Sequence, residues 1–323
     1  MAESFDGLER LIISALHINP RASWGQVARA FGISEATVAR RAQRLFTLGK
    51  VAVVGVIDHS AGEETLAVLA RVACRPGFAE RVSQALAREA SVRFAAIVTG
   101  SAACLVEIVG ANHDALLAAL ESRIGGIDGI VGVDTQIIMQ TLLGTYKWAP
   151  ATIPEEITAE LRAGQHAGTI KRPSEAIVLS EQEQAVVERL RIDGRTSLVD
   201  LAEASGTSQS TVRRRIESLI ERGILHFRLL VEPSLLGYGA EVMFWIQASP
   251  NSLTEVAESL MAHPDLRYLI ATAGSTNLFG SAVLRTSTEM LDFATNVLGR
   301  SSAGTVAELQ LVLRPVKRHW HIL

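Results

Sequence analysis

Two short segments hold the residues best suited to chemistry with another molecule. SEATVARRAQRL runs from Ser34 to Leu45, and SQSTVRRRIESL runs from Ser208 to Leu219, 174 positions later. Each opens on small polar residues and continues into arginines. The first offers Ser34, Thr37, Arg40, Arg41 and Arg44; the second offers Ser208, Gln209, Thr211, Arg213, Arg214 and Arg215. Guanidinium groups bind phosphate oxygens and hydrogen-bond guanine edges in the major groove. Small polar residues at a helix start let the backbone approach DNA closely. No acidic residue occurs from Ala36 to Ile57, whereas Glu217 and Glu221 temper the second segment. Double-stranded DNA is the expected partner. The chain's formal net charge is −3, so the attraction must be local. The plain alternative is a solvated face on an interaction module.

Other chemistry finds little support. There is no P-loop, dinucleotide fingerprint or nucleophile elbow, so neither a catalytic residue nor a cofactor is expected. His319 and His321 flank Trp320 in KRHWH, but no further ligands complete a metal site, and the segment reads as a frayed basic terminus. Cys74 and Cys104 make no disulfide framework and read as buried thiols. Trp245 reads as core or interface. The N-terminus is not a signal peptide, and no run of about 20 residues is apolar enough to span a membrane. A cytoplasmic, nucleoid-associated protein without a membrane partner is expected.

The elements that must position the arginines also occur twice. Asp6 and Glu9 recur as Ser180 and Glu183, Arg21 as Arg195, Gly32 as Gly206, Gly49 as Gly223, and Gly100 as Gly274. One register held over about 120 residues makes the chain two copies of one unit. In each copy a capping box opens a first helix, a second apolar stripe follows (Trp24, Val27, Ala28 and Phe31 in the first), a glycine turns the chain, and Ser34 or Ser208 caps a third helix. Each module is a helix-turn-helix.

A strand-rich domain follows each module. VAVVGVI, TLAVLARVAC, VRFAAIV, CLVEIV and GIVGVDTQIIMQTLL read as strands, with helices after Phe78 and after Asn112, the latter burying Leu116, Leu117, Leu120 and Ile124. The second copy repeats the order. The expected fold is α+β: winged or helix-turn-helix trihelical domains, each followed by a ferredoxin-like βαββαβ domain, the whole unit repeated. The expected domains are 1–50 and 178–226 for the helix-turn-helix modules, 51–146 and 227–318 for the β domains, and 147–177 for a linker with a short helix around Glu155 to Ala163. The uncovered sheet face of each β domain seeks a twin, within the chain or between chains; the favoured arrangement pairs two chains, like unit with like.

This order resembles the Lrp/AsnC family of transcriptional regulators, here tandem-duplicated. The resemblance covers both units of about 140 residues. It implies a β domain that senses an amino acid and oligomerises, with the effector near its turns. The matching turns are TGSAACL and AGSTNLF, which makes Thr99, Gly100, Ser101, Gly274, Ser275, Thr276 and Asn277 the candidate effector residues. Backbone amides of such turns hold carboxylates, and the hydroxyl and amide side chains supply neutral hydrogen bonds. Where the family's turn carries an aspartate after the glycine, this chain has Ala103 and Asn277. The resemblance thus implies a DNA-binding regulator responsive to an amino acid or related metabolite, working as a homo-oligomer, dimer or higher. Sirohaem decarboxylases resemble the same architecture and make a tetrapyrrole enzyme the rival reading. An effector-binding oligomeriser without DNA binding is a third.

Overall fold

Local capping signals set the helix starts in the computed structural model, which describes residues 5–49, 51–57, 66–145, 148, 154–162, 179–299, 304–318 and 321–322. The first copy comprises α1 (Gly7–Ile18), α2 (Trp24–Phe31), α3 (Glu35–Thr47), β1 (Val51–Ile57), β2 (Leu66–Cys74), α4 (Ala79–Arg88), β3 (Val92–Val98), β4 (Cys104–Gly110), α5 (His113–Ala118) and β5 (Ile130–Leu143). Helix α6 (Glu155–Arg162) follows. The second copy comprises α7 (Glu181–Ile192), α8 (Leu198–Ser205), α9 (Gln209–Glu221), β6 (Leu225–Val231), β7 (Ala240–Ala248), α10 (Leu253–Met261), β8 (Leu266–Ala273), β9 (Leu278–Leu284), α11 (Ser287–Asp292), β10 (Gly304–Arg318) and β11 (His321–Ile322). One compact unit gathers both helix-turn-helix modules with β1, β6 and α6; the other gathers both β domains.

In the first unit, Asp6 and Ser180 form reciprocal capping boxes with Glu9 and Glu183. Gly32 and Gly206 close α2 and α8 at φ of 66° and 62°, a conformation that favours glycine. Strands β1 and β6 pair antiparallel over their full lengths. Each strand also packs on the other copy's helices. Leu229 and Val231 of β6 join the first module's core with Ile12, Leu16 and Leu45, and Ile57 of β1 packs on the second module's core. Reciprocal arginines add to this exchange. Arg21 Nη1 donates to the Gly194 carbonyl at 2.9 Å, and Arg195 donates to the Pro20 and Ala22 carbonyls at 2.7 and 2.9 Å.

Helix α6, from the expected linker, is part of this unit. Leu161 is fully buried in the first module's core, and the Leu161 carbonyl accepts from Asn19 Nδ2 at 2.9 Å. Leu161→Ala should therefore cost about 2–5 kcal/mol of unfolding free energy, the usual range for a buried leucine. A chemical denaturation midpoint equal to that of the parent would contradict this role for α6.

In the second unit, each copy forms a four-stranded antiparallel sheet, β3-β4-β2-β5 or β8-β9-β7-β10, as a ferredoxin-like βαββαβ order requires. The copies join at both edges, β5 to β8 and β10 to β3, so the eight-strand ladder closes on itself. The inner faces meet in one apolar cluster, with Leu69, Val98 and Leu105 against Met243, Trp245 and Phe279. The twin that each sheet needs is thus the other half of the same chain. This corrects the expectation that like units pair between two chains: the edges and inner faces such a pairing would use are already consumed.

Two smaller expectations also fail. Leu117 points outward, 52% exposed, because a π-helical turn at Ala119–Ile124 breaks the 3.6-residue period that would bury it; Phe293–Leu298 repeats the device in the second copy. Lys317 and Arg318 are not frayed. They lie in β10, buried, with Lys317 Nζ donating to the Glu89 carbonyl and Arg318 paired to Glu241. His319 and Trp320 lie outside the described residues.

Candidate nucleic-acid interface and effector turns

The third helix of each module separates the predicted arginines by face. In α3 the buried positions are Val38, Ala42 and Leu45. Arg40 lies opposite that stripe and is exposed. Arg41 lies beside the stripe and turns to α1, where its Nη1 meets Asp6 at 2.8 Å and Glu9 at 3.4 Å. Arg44 is more exposed and still reaches Glu9 at 3.1 Å. Glu9 is only 5% exposed, so its charge requires these cations. In α9 the exposed arginines are Arg213 and Arg214, while Arg215 donates to Gln182 of α7. Arg222 takes over the approach to the capping-box acid, Glu183, at 3.7 Å. Burial raises the Glu183 pKa, but hydrogen bonds from Ser180 and the charges of Arg222 and Arg215 outweigh it, and the net shift is downward.

Ser34 and Ser208 are the N-caps, accepting from the amides of Thr37 and Thr211 at 3.2 Å each. Their hydroxyls also meet those of Thr37 and Thr211, at 2.7 and 2.9 Å. These four residues shape the helix starts, and Gln209 stands exposed beside them. The outward set is therefore Arg40 in one module and Gln209, Arg213 and Arg214 in the other.

The predicted effector turns lie at the two seams where the copies join. Thr99 forms a rung with β10: its amide donates to the Leu311 carbonyl, and its Oγ1 accepts from the Leu311 amide, both at 2.9 Å. Gly100 has φ of 101°, and Ser101 is exposed. A Cβ at Gly100 would sit 2.7 Å from Gln310 Nε2 and 2.9 Å from Glu308 Oε1, so β10 comes close to this turn. At the other seam, Gly274 and Ser275 are exposed, whereas Thr276 is buried against Gln136 of β5 at 3.0 Å. Asn277 is committed to structure: its amide group bonds both the N–H and the carbonyl of Ala248. The turns thus bring Gly100 with Ser101, and Gly274 with Ser275, to the surface, and use Thr99, Thr276 and Asn277 to hold the strands.

Sequence reasoning did not find the residues facing the turns. Gln310 and Glu308 face the first, and Gln136 faces the second. The glutamines recur at the 174-residue offset, the one signal that could have marked them. Among the described residues no cluster of three or more histidine, cysteine, aspartate or glutamate side chains is placed to hold a metal ion. No described helix is long and apolar enough to cross a membrane.

Comparison with known proteins bears on both sites. The AsnC-type helix-turn-helix domain profile matches residues 5–45 and 179–220, and the Lrp/AsnC ligand binding domain profile matches residues 67–148. The HTH-type transcriptional regulator LrpA of Pyrococcus horikoshii is 26% identical over 141 residues, 43% of this chain and all of that protein. The HTH-type transcriptional regulator FL11 of Pyrococcus furiosus is 26% identical over 117 residues, 36% of this chain and 78% of its own length. Over nearly the full chain, the fold is similar to that of the siroheme decarboxylase NirDL, with a TM-score of 0.60 and 13% identity, covering 96% of this chain and 92% of that one. That likeness is one of fold alone.

Proposed function

The chain belongs to the Lrp/AsnC family, and from that premise we propose that it is a sequence-specific transcriptional regulator whose one chain carries a complete pair of DNA-reading helices. The observation that carries this reading is the repeated third helix with outward arginines, Arg40 in one copy and Arg213 and Arg214 in the other. The outward residues differ between copies: Glu35 and Ala36 stand where the second has Gln209 and Ser210, and Ala39 stands where it has Arg213. Paired readers of this kind contact half-sites about one helical turn, or a multiple of it, apart. The bound sequence should be an imperfect palindrome. Selection from a random DNA pool tests this, and a perfectly symmetric consensus would refute the divergence. The reading as a whole requires a retarded band with genomic fragments at moderate salt; none at any fragment would remove it.

The β domains, on this reading, bind an amino acid or related metabolite at the exposed glycine turns. A thermal-shift screen of the common amino acids tests it, since a ligand at about 100 times its dissociation constant stabilises by about 2.7 kcal/mol. No shift with any of them would leave the turns as plain turns. Association into a homo-oligomer draws support from β5, whose residues Val131, Val133, Ile137 and Met139 form an exposed apolar stripe, Val131 being 65% exposed. Light scattering at micromolar protein should give a multiple of 34.7 kDa. A mass equal to one chain would overturn association.

The full-length likeness to a siroheme decarboxylase favours a second reading, a tetrapyrrole enzyme. Against it, three of the described histidines make local contacts: His17 meets Trp148 edge-on, His226 meets the Gly223 carbonyl, and His263 meets Phe293 edge-on. Sirohaem added to the purified protein should give no perturbed absorption band.

A further inference from the structure

We infer that the Thr99–Ser101 turn is a carboxylate-binding site already occupied by the chain's own Glu308, which leaves the Gly274 turn as the one open to a carboxylate-bearing ligand. The second clause rests on the effector reading above; the first does not.

The Glu308 carboxylate is held as a bound anion would be. Its Oε2 accepts from Arg71 Nη1 at 2.8 Å. Its Oε1 accepts from Gln310 Nε2 at 2.6 Å and from Ser101 Oγ at 3.3 Å. These donors come from both copies: Arg71 from β2, Ser101 from the β3–β4 turn and Gln310 from β10. Gln310 is 1% exposed, and Arg71 is pinned over the Trp245 ring at 4.2 Å. The donors are thus fixed in place, which is what carboxylate recognition needs. Gly100 lets the carboxylate come close, because a Cβ there would be 2.9 Å from Glu308 Oε1.

The related seam lacks this arrangement. At the 174-residue offset, Glu308 corresponds to Asp134, which is one methylene shorter and exposed, and Arg71 corresponds to Trp245. Gln136 there spends its Nε2 on the hydroxyls of Thr276 and Ser275, at 3.0 and 3.3 Å. The Gly274 turn therefore faces a neutral amide, while the Gly100 turn faces an ion pair made within the chain.

Truncating the occupant should open its site to an external carboxylate. Glu308→Ala keeps Cβ and leaves the space of an acetate ion. Sodium acetate at about ten times its dissociation constant should raise the melting temperature of E308A by about 3 °C, saturably. At matched ionic strength sodium chloride should not, and the acetate shift of E308A should exceed that of the parent and of E308Q, whose amide fills the space, because the Gly274 turn is the same in all three. Glu308→Ser serves in the same way if E308A does not fold, and quenching of Trp245 fluorescence is a second readout. Equal acetate shifts in parent and variant, or no saturable shift in the truncated variants, would overturn the occupancy. A positive acetate response beside an empty amino-acid screen would remove only the effector reading.

Discussion

Alanine at Arg40, Arg213 and Arg214 together is expected to weaken DNA binding by roughly 100- to 1000-fold at moderate salt and to flatten the salt dependence by about three units of slope. The magnitude follows from position. All three side chains are exposed on the outward faces of α3 and α9, free of the capping-box acids that engage their neighbours. Each phosphate that is no longer neutralised takes away close to one unit of slope, and a bidentate guanine pairing is worth about 1–3 kcal/mol. The melting temperature should stay within a degree or two of the parent, since exposed substitutions change stability little. Arg41→Ala should do the opposite. It takes a cation from the nearly buried Glu9 and from Asp6, so stability should fall by about 1–3 kcal/mol while the salt slope stays unchanged. Filter binding across a salt series, with melting curves on the same samples, separates the two. A triple variant with the parent's slope would sink the assignment of the outward arginines.

Arg195→Ala is expected to destabilise the helix-turn-helix unit by about 3–4 kcal/mol, far more than an ordinary polar truncation. The guanidinium satisfies two carbonyls of the other copy, at 2.7 and 2.9 Å, and lies over the Trp24 ring at 4.1 Å. Lysine should rescue little, because one ammonium cannot bridge both carbonyls and stack at once. Burial first, and then the nearby Arg21 guanidinium, lower the Arg195 pKa from 12.5 to about 10. The group stays charged at neutral pH. A cation with a lowered folded pKa adds no pH slope while both states are protonated, so its contribution is flat through neutrality and rises only above about pH 10. Urea denaturation of R195A, R195K and the parent at pH 7 measures the loss. A cost under about 1 kcal/mol, as for an ordinary surface cation, would show that the clamp is idle.

What the sequence shows of this molecule is what depends on near neighbours. Capping boxes at Asp6 and Ser180, the glycines at 32 and 206 and the apolar strand runs act within a few residues, and the structure has them where the pattern puts them. The split between Arg40 and Arg41 was also legible in part: Arg41 stands one residue before Ala42 on the helix and borders its apolar stripe, while Arg40 is opposite. Its partners, Asp6 and Glu9, are over 30 residues away and depend on how α1 packs. The Gly100 and Gly274 turns were legible as turns, but their surroundings were not. Glu308 and Gln310 reach Gly100 only because β10 pairs with β3 of the other copy, a register no local pattern encodes. Leu117 misled because a π-helical turn has no sequence period of its own.

The β1–β6 ribbon and the closed strand ladder are both made within one chain. Partners joined by a covalent tether meet at an effective concentration that dilution cannot lower. Two halves that are always together also leave no vacancy for a stranger. A cell that holds several related regulators risks mixed pairs, each reading a hybrid operator, wherever the pairing surfaces are alike. Here the sheet edges and inner faces that would accept a foreign half are filled by the chain's own other copy, so at those surfaces connectivity alone blocks exchange and no repulsive residues are needed. Its two third helices are consequently inherited as one locus while each is free to diverge from the other.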